Sequence, residues 1–178
     1  MATIHFVLQG KGGVGKSFVA ATMAQFLRDR GSRPLCIDTD PINKTFAGYK
    51  AFDVHRLELM DGSEVDPRRF DALVELLTKA EPDQHVIIDN GASSFIPLAD
   101  YLLSCEVPAM LQELGHALYL HCVITGGQGQ VDTLQGLSAL LASFSCPCVV
   151  WLNPWHGRIE HEGKGFEEFA LYQKRRER

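Results

Sequence analysis

The segment Gly10-Lys11-Gly12-Gly13-Val14-Gly15-Lys16-Ser17 carries the clearest chemistry in the chain. It fits G-x-x-x-x-G-K-[ST], a spacing whose glycines let the backbone curl until several N–H groups converge on phosphate oxygens. Lys16 is spaced to reach the outer phosphates of a nucleotide, and the Ser17 hydroxyl to hold Mg2+. Such a loop needs a strand before it and a helix after it, because the helix adds its positive end to the anion site. Ile4-His5-Phe6-Val7-Leu8 reads as that strand, and the stretch from Lys16 to Arg30, stopped by Gly31, as that helix.

Later strand ends add carboxylates. Ile37-Asp38-Thr39-Asp40-Pro41 sets two of them two residues apart. At the mouth of a phosphate site they repel unless a cation or water shares them. The plainer alternative is a solvated acidic turn with proline. Val86-Ile87-Ile88-Asp89 ends an apolar run in an acid, the arrangement that holds Mg2+ through water. Gly91, in Asn90-Gly91-Ala92-Ser93-Ser94, allows the backbone close to a terminal phosphate and makes this segment a second candidate switch.

The elements that must position these residues follow from periodicity. Short β-rich runs at 34–38, 85–89, 119–125 and 148–152 alternate with helical patterns from Asp66 or Pro67 through Leu77 and from Val131 to Phe144. Continuously apolar strands are buried on both faces, so the expected fold class is α/β, a mostly parallel twisted sheet flanked by helices. Ligands in such sheets sit beyond the carboxyl ends of the strands. The 178 residues suit one domain. Apolar residues make up 46% and charged residues 22%, which excludes a disordered tail, a fibre and a disulfide miniprotein. The net charge of −5 argues against a general nucleic-acid coat. No run reaches the ~18 apolar residues of a membrane span. The N-terminus lacks a leader's basic start, and five cysteines without an export signal read as reduced cytosolic thiols.

Lys11-Gly-Gly-Val-Gly-Lys16-Ser17 resembles the deviant Walker A loop of the ParA/MinD family of P-loop ATPases, and Asp38-Thr-Asp40-Pro41 its first switch. The resemblance runs from the first strand through Asn153. It implies Mg2+-dependent hydrolysis of ATP to ADP in an ATP-dependent homodimer. Lys11 would reach the partner's nucleotide, neutralising charge on the transferred phosphoryl group. Asp40 would position or activate the attacking water, and Asp38 would support the Mg2+ shell. Asn153 would read the adenine edge with its donor and acceptor, with Pro154 beside it. Two departures stand out: Asn-Gly-Ala-Ser follows Asp89 where many relatives have prolines, and Pro154-Trp155 follows Asn153 where relatives often have Arg. Members usually continue with another strand and helix, so the chain is expected to lack a C-terminal portion. A narrower resemblance, to the nucleotide-binding proteins of conjugative plasmid transfer regions, implies a bacterial cytoplasmic protein with a plasmid-transfer or DNA-bound partner.

Other signals stay open. Cys146-Pro147-Cys148 could ligate an Fe–S cluster, or could be core cysteines leading into a buried strand. Cys36, Cys105 and Cys122 read as packing residues. The seven histidines show no metal spacing, and 156–163 reads as a flexible surface loop. Gly126-Gly127-Gln128-Gly129 could line the nucleotide or the dimer face, or be a tight connection. Trp155 could stack on a base or be core. Phe166, Phe169 and Ala170 share a helical face ahead of a basic tail, which reads as a domain helix, or as a membrane- or DNA-contacting one. A non-hydrolysing nucleotide-binding adaptor, an Fe–S carrier and a phosphotransferase are the rival functions.

Overall fold

The computed structural model describes residues 1–61 and 64–176. In chain order the elements are β1 (Thr3–Val7), α1 (Lys16–Asp29), β2 (Leu35–Asp38), β3 (His55–Arg56), the hairpin β4 (Met60–Asp61) and β5 (Glu64–Val65), and α2 (Phe70–Thr78). Then come β6 (His85–Asp89), α3 (Phe95–Ser104), α4 (Val107–Glu113), β7 (Ala117–Thr125), α5 (Gln130–Ser143) and β8 (Cys148–Asn153). The hairpin β9 (Glu160–His161) and β10 (Lys164–Gly165) and the short α6 (Ala170–Arg175) close the chain.

Six strands form one sheet in the order β3-β2-β6-β1-β7-β8, with every pairing parallel. The apolar runs have two faces to fill. Ile4, Phe6, Leu8, Ile37, Val86, Ile88, Leu120 and Ile124 pack on the side of α2, α3, α4 and α5. Val7, Cys36, Ile87 and Val123 pack under α1 through Val19, Ala20, Met23 and Ala24. The α1 helix ends as Gly31 enters the left-handed region at φ 83, which satisfies carbonyls of the last turn.

Several expectations needed correction. The strand 148–152 is the sheet edge rather than a buried strand, with Val149 41% and Leu152 47% exposed, because only β7 flanks it. Residues 160–165 form the β9–β10 hairpin, whose turn uses Glu162 and Gly163 at positive φ, rather than a formless loop. The proposed face of Phe166, Phe169 and Ala170 is broken, since Phe169 is extended between a 3-10 turn and α6. Phe166 itself is buried in the core. Of the basic tail, Glu177 and Arg178 lie outside the described residues. Cys36 and Cys122 are buried, but Cys105 is exposed at the end of α3. Cys146 is buried and Cys148 half-buried, and among the described residues no group of three metal-ligating side chains converges. No described helix is long and apolar enough to cross a membrane.

A polar chain crosses the α1 face. Trp151 Nε1 donates to His121 Nδ1 at 3.0 Å, His121 Nε2 lies 3.0 Å from His5 Nδ1, and His5 Nε2 lies 3.1 Å from His85 Nδ1. An indole N–H can only donate. His121 must therefore accept at Nδ1 and carry its proton on Nε2, and the same order passes to His5 and His85. A proton added to His5 or His121 would set two donors face to face. Burial, reinforced for His5 by its imidazole neighbours, lowers His5 to about 3, and burial lowers His121 to about 4. Folded values below the unfolded 6.5 mean that the unfolded chain binds more protons as the pH falls, so stability declines below pH 6.5. In urea unfolding, His5 and His121 should each contribute a loss of about 1–2 kcal/mol between pH 7 and pH 5. His121→Asn, which keeps an acceptor for Trp151 and cannot be protonated, should remove roughly half of that loss. Equal pH dependence in the parent and His121→Asn would contradict the ordered chain.

Candidate nucleotide site

All six parallel strands present their carboxyl ends to one edge, and the loop 10–17 lies there between β1 and α1. Gly13 (φ 73) and Gly15 (φ 103) occupy the left-handed region that favours glycine. Gly15 is also the N-cap of α1, and no side chain caps that end. The first N–H groups of α1 are therefore available to an anion. Gly10 stands over the Phe95 ring, and Gly12 opposite Ala92. Val14 is buried and anchors the loop, and its carbonyl accepts from Asn153 Nδ2 at 2.9 Å. A Cβ on Gly15 would come within 3.0 Å of the same Asn153 nitrogen. Asn153 Oδ1 accepts from Trp155 N, while Pro154 opens the 3-10 turn after β8. Asn153 thus braces the phosphate loop from across the sheet.

The Lys16 side chain is buried, and Nζ donates to the Lys11 carbonyl at 3.0 Å. Burial lowers its pKa, opposed by the carboxylates of Asp89 and Asp40. Lys11 points the other way and pairs with Asp132, at the start of α5, at 2.7 Å. Both partners are about half exposed, so the pair is weak, of order 0–1 kcal/mol, and exchangeable.

Asp38 and Asp89 are paired across neighbouring strands, and both are buried. Asp38 accepts from Asp40 N at 3.0 Å and Ala47 N at 2.9 Å; burial raises its pKa and these N–H bonds oppose the rise. Burial pushes Asp89 up to about 7, with Asp38 and Asp40 adding like charge, while a hydrogen bond from Ser17 and the Lys16 ammonium pull it down. Asp89 Oδ1 has no hydrogen-bond partner. A buried, unpartnered carboxylate oxygen next to a serine hydroxyl is a hard-oxygen donor set that fits Mg2+, which takes few protein ligands and fills its shell with phosphate and water.

Asp40 Oδ1 accepts from Ile42 N and Asn43 N, both at 2.9 Å, and Oδ2 from Asn43 Nδ2 at 3.3 Å. It lies against Gly91, where any Cβ would fall 2.6 Å from Asp40 Cγ. The glycine therefore lets the two strand-end loops touch.

The structure brings Gly10 to Ser17, Asp38, Asp40, Asp89, Gly91 and Asn153 to one edge of the sheet. Trp155 is 84% exposed and not core. Gly126 and Gly127 form a tight connection, since a Cβ on either would strike the backbone of residues 156–158. Three contributors escaped the sequence reading. Buried Gln9 donates to Val123 O and Thr133 O, and its Oε1 accepts from Lys11 N, tying the loop to α5. Its signal was a polar residue closing an apolar strand. Asp132 holds Lys11 from 121 residues away, a pairing no local pattern encodes. Asn90 is buried between the strand ends.

Asp89→Asn should separate binding from stability. A carboxyl raised to about 7 makes the fold bind its proton more tightly than the unfolded chain does, so this group costs stability as pH rises from about 4 through 7. The neutral variant should gain about 1–3 kcal/mol in urea unfolding at pH 8, vanishing near pH 4. It should also lose any strengthening of nucleotide binding by Mg2+.

Residues 5–149 match the CobQ/CobB/MinD/ParA nucleotide-binding domain. Two Escherichia coli proteins named TraL are 60% and 58% identical over 174 residues, which cover 97% of this chain and 71% of each relative. A plasmid partition protein of Borrelia burgdorferi has a similar fold, with TM-score 0.58 and 14% identity, over 100% of this chain and 88% of that one. The Aquifex aeolicus MinC:MinD cell division complex contains a similar chain, with TM-score 0.56 and 14% identity, over 90% of this chain and 70% of that one. The fold is thus that of the ParA/MinD P-loop NTPases. With residues 5–149 matched and relatives of 58–60% identity aligned over 97% of its length, the chain belongs to the CobQ/CobB/MinD/ParA nucleotide-binding family.

Proposed function

We propose that this protein is a Mg2+-dependent ATPase that dimerises around ATP and releases the dimer on hydrolysis, a slow switch serving plasmid conjugal transfer, partition or positioning in the bacterial cytoplasm. One observation carries the reading most: a glycine loop and an uncapped helix end face a buried Lys16 and the unpartnered oxygen of Asp89. Backbone N–H groups from Gly12 to Ser17 would bind the phosphates, with Lys16 turning from the Lys11 carbonyl to their outer oxygens. Ser17 and Asp89 would hold Mg2+, with Asp38 behind them. The ion would supply charge neutralisation at the β- and γ-phosphates.

Asp40 would orient the attacking water by accepting its hydrogen bond. Catalysis of this type is positioning and electrostatics, with no covalent enzyme intermediate. Lys11 would leave Asp132 and neutralise developing charge in the partner's site, so chemistry would require two copies. Asn153 and Pro154 would read the adenine edge and the exposed Trp155 would stack on the base, Asn153 sharing its amide with Val14 O and Trp155 N. The identity to TraL supports the plasmid-transfer role, and the fold shared with MinD in a MinC:MinD complex supports a protein partner.

A non-hydrolysing adaptor is the second reading, favoured by Asp40 Oδ1 already accepting two backbone N–H groups. ATP turnover measured together with light scattering decides between them. ATP-dependent dimers with no phosphate release over hours would support the adaptor. Lys16→Ala should weaken nucleotide binding on the order of 100-fold or more. Lys11→Ala should bind normally yet lose about 1,000-fold in turnover, and full turnover would refute the cross-subunit role. Asp40→Ala should accumulate an ATP-bound dimer; a variant that stays monomeric with ATP would count against its assignment.

A further inference from the structure

Between the ends of β2 and β6 lies a buried knot of three polar side chains, Thr39, Asn90 and Ser94, each essentially without solvent exposure. Asn90 Oδ1 accepts from Ser94 Oγ at 2.8 Å, and the Thr39 hydroxyl lies 3.1 Å from both Asn90 Oδ1 and the Asp89 carbonyl, shared between them. Asn90 Nδ2 donates to Gly91 O at 3.0 Å, and Thr39 N donates to Asp89 O at 2.9 Å. Ser94 Oγ also lies 3.3 Å from Gly91 O and 3.4 Å from Thr39 O. No buried side-chain oxygen or nitrogen of the knot lacks a partner.

Each strand contributes a knot residue directly beside an acid of the nucleotide site, Thr39 next to Asp40 and Asn90 next to Asp89. The knot also fixes the Gly91 peptide, the surface against which the Asp40 carboxylate rests. Apolar residues could close two strand ends more cheaply than an asparagine, whose buried amide costs about 1–3 kcal/mol if left unpaired. A fully paired buried network instead specifies one arrangement and rigidifies it. Any displacement at Asp89 must then carry the Gly91 peptide and, through it, Asp40.

We propose that Asn90 is a positioning residue, bonded to Thr39 and Ser94, that couples Mg2+–nucleotide engagement at Asp89 to placement of the Asp40 carboxylate. This rests on the nucleotide-switch reading above. Asn90 touches no reacting atom and acts through Asp40, so its loss should spare binding and impair turnover.

The test is hydrogen exchange, read in peptides covering 40–47 and 89–94 with and without Mg·ATP, alongside steady-state kinetics. Parent protein should show slowed exchange in both segments. Asn90→Ala should keep the response at 89–94 and lose most of it at 40–47, with kcat down about 10–100-fold and KM within about 2-fold. Thr39→Val, nearly isosteric, should do the same if Asn90→Ala does not fold, and Thr39→Ser should restore both readouts. Segments that still respond together in both Asn90→Ala and Thr39→Val would overturn the coupling alone. A parent protein in which neither segment responds to Mg·ATP would refute the nucleotide reading and this proposal with it.

Discussion

The structure is organised around charge that burial disfavours. Asp89 is walled in at a strand end, its carboxyl pushed up to about 7, with one oxygen left without a partner and the buried Lys16 nearby. Neither charge is satisfied by the fold alone: Lys16 spends its ammonium on a backbone carbonyl, and Asp89 has one serine hydroxyl. A polyanion with a divalent cation would complete both at once. Such a site costs stability when empty, which is the usual position of binding machinery relative to the scaffold that holds it.

The all-parallel sheet is what makes this convergence possible. In an antiparallel sheet, neighbouring strands would send their ends to opposite edges. Here β1, β2, β6 and β8 all finish at the same edge, delivering the glycine loop, Asp38, Asp89 and Asn153. Parallel strands need crossovers, and α1 is the one whose uncapped N-terminus opens from the glycine loop. Its packing through Val19, Ala20, Met23 and Ala24 therefore sets the aim of its own N-terminus.

The phosphate loop, the acid-terminated strands and the helices of residues 16–29 and 130–143 were legible because local chemistry dictates them: left-handed glycines, uninterrupted apolar runs, 3.6-residue spacing. The α3 and α4 helices were not. Ser94 stands at the N-cap of α3, but its hydroxyl turns to Asn90 instead of capping the helix, and α4 begins from Glu106 in the left-handed region, a conformation unusual for glutamate. The edge position of β8 was also hidden, since the apolar run Cys148 to Leu152 reads the same whether one neighbour or two flank it. The Lys11–Asp132 pair and the knot at Asn90 depend on which loops meet, and that follows from sheet order rather than spacing.

That edge position bears on the site itself. With only β7 beside it, β8 has half the ladder of an interior strand, and its outward residues Val149 and Leu152 gain little from burial. Polar bonds on the α1 face supply what the missing neighbour does not. Trp151 is held by His121, and two residues further along the same face Asn153 holds Val14 of the phosphate loop. The imidazole chain thus fixes the strand that braces the loop. Because a proton on His5 or His121 would break that chain, the register of β8, and with it the brace on Val14, is most secure when those two rings are neutral. A histidine row in the middle of a sheet and a glycine loop at its edge, unrelated in sequence, are parts of one mechanical connection.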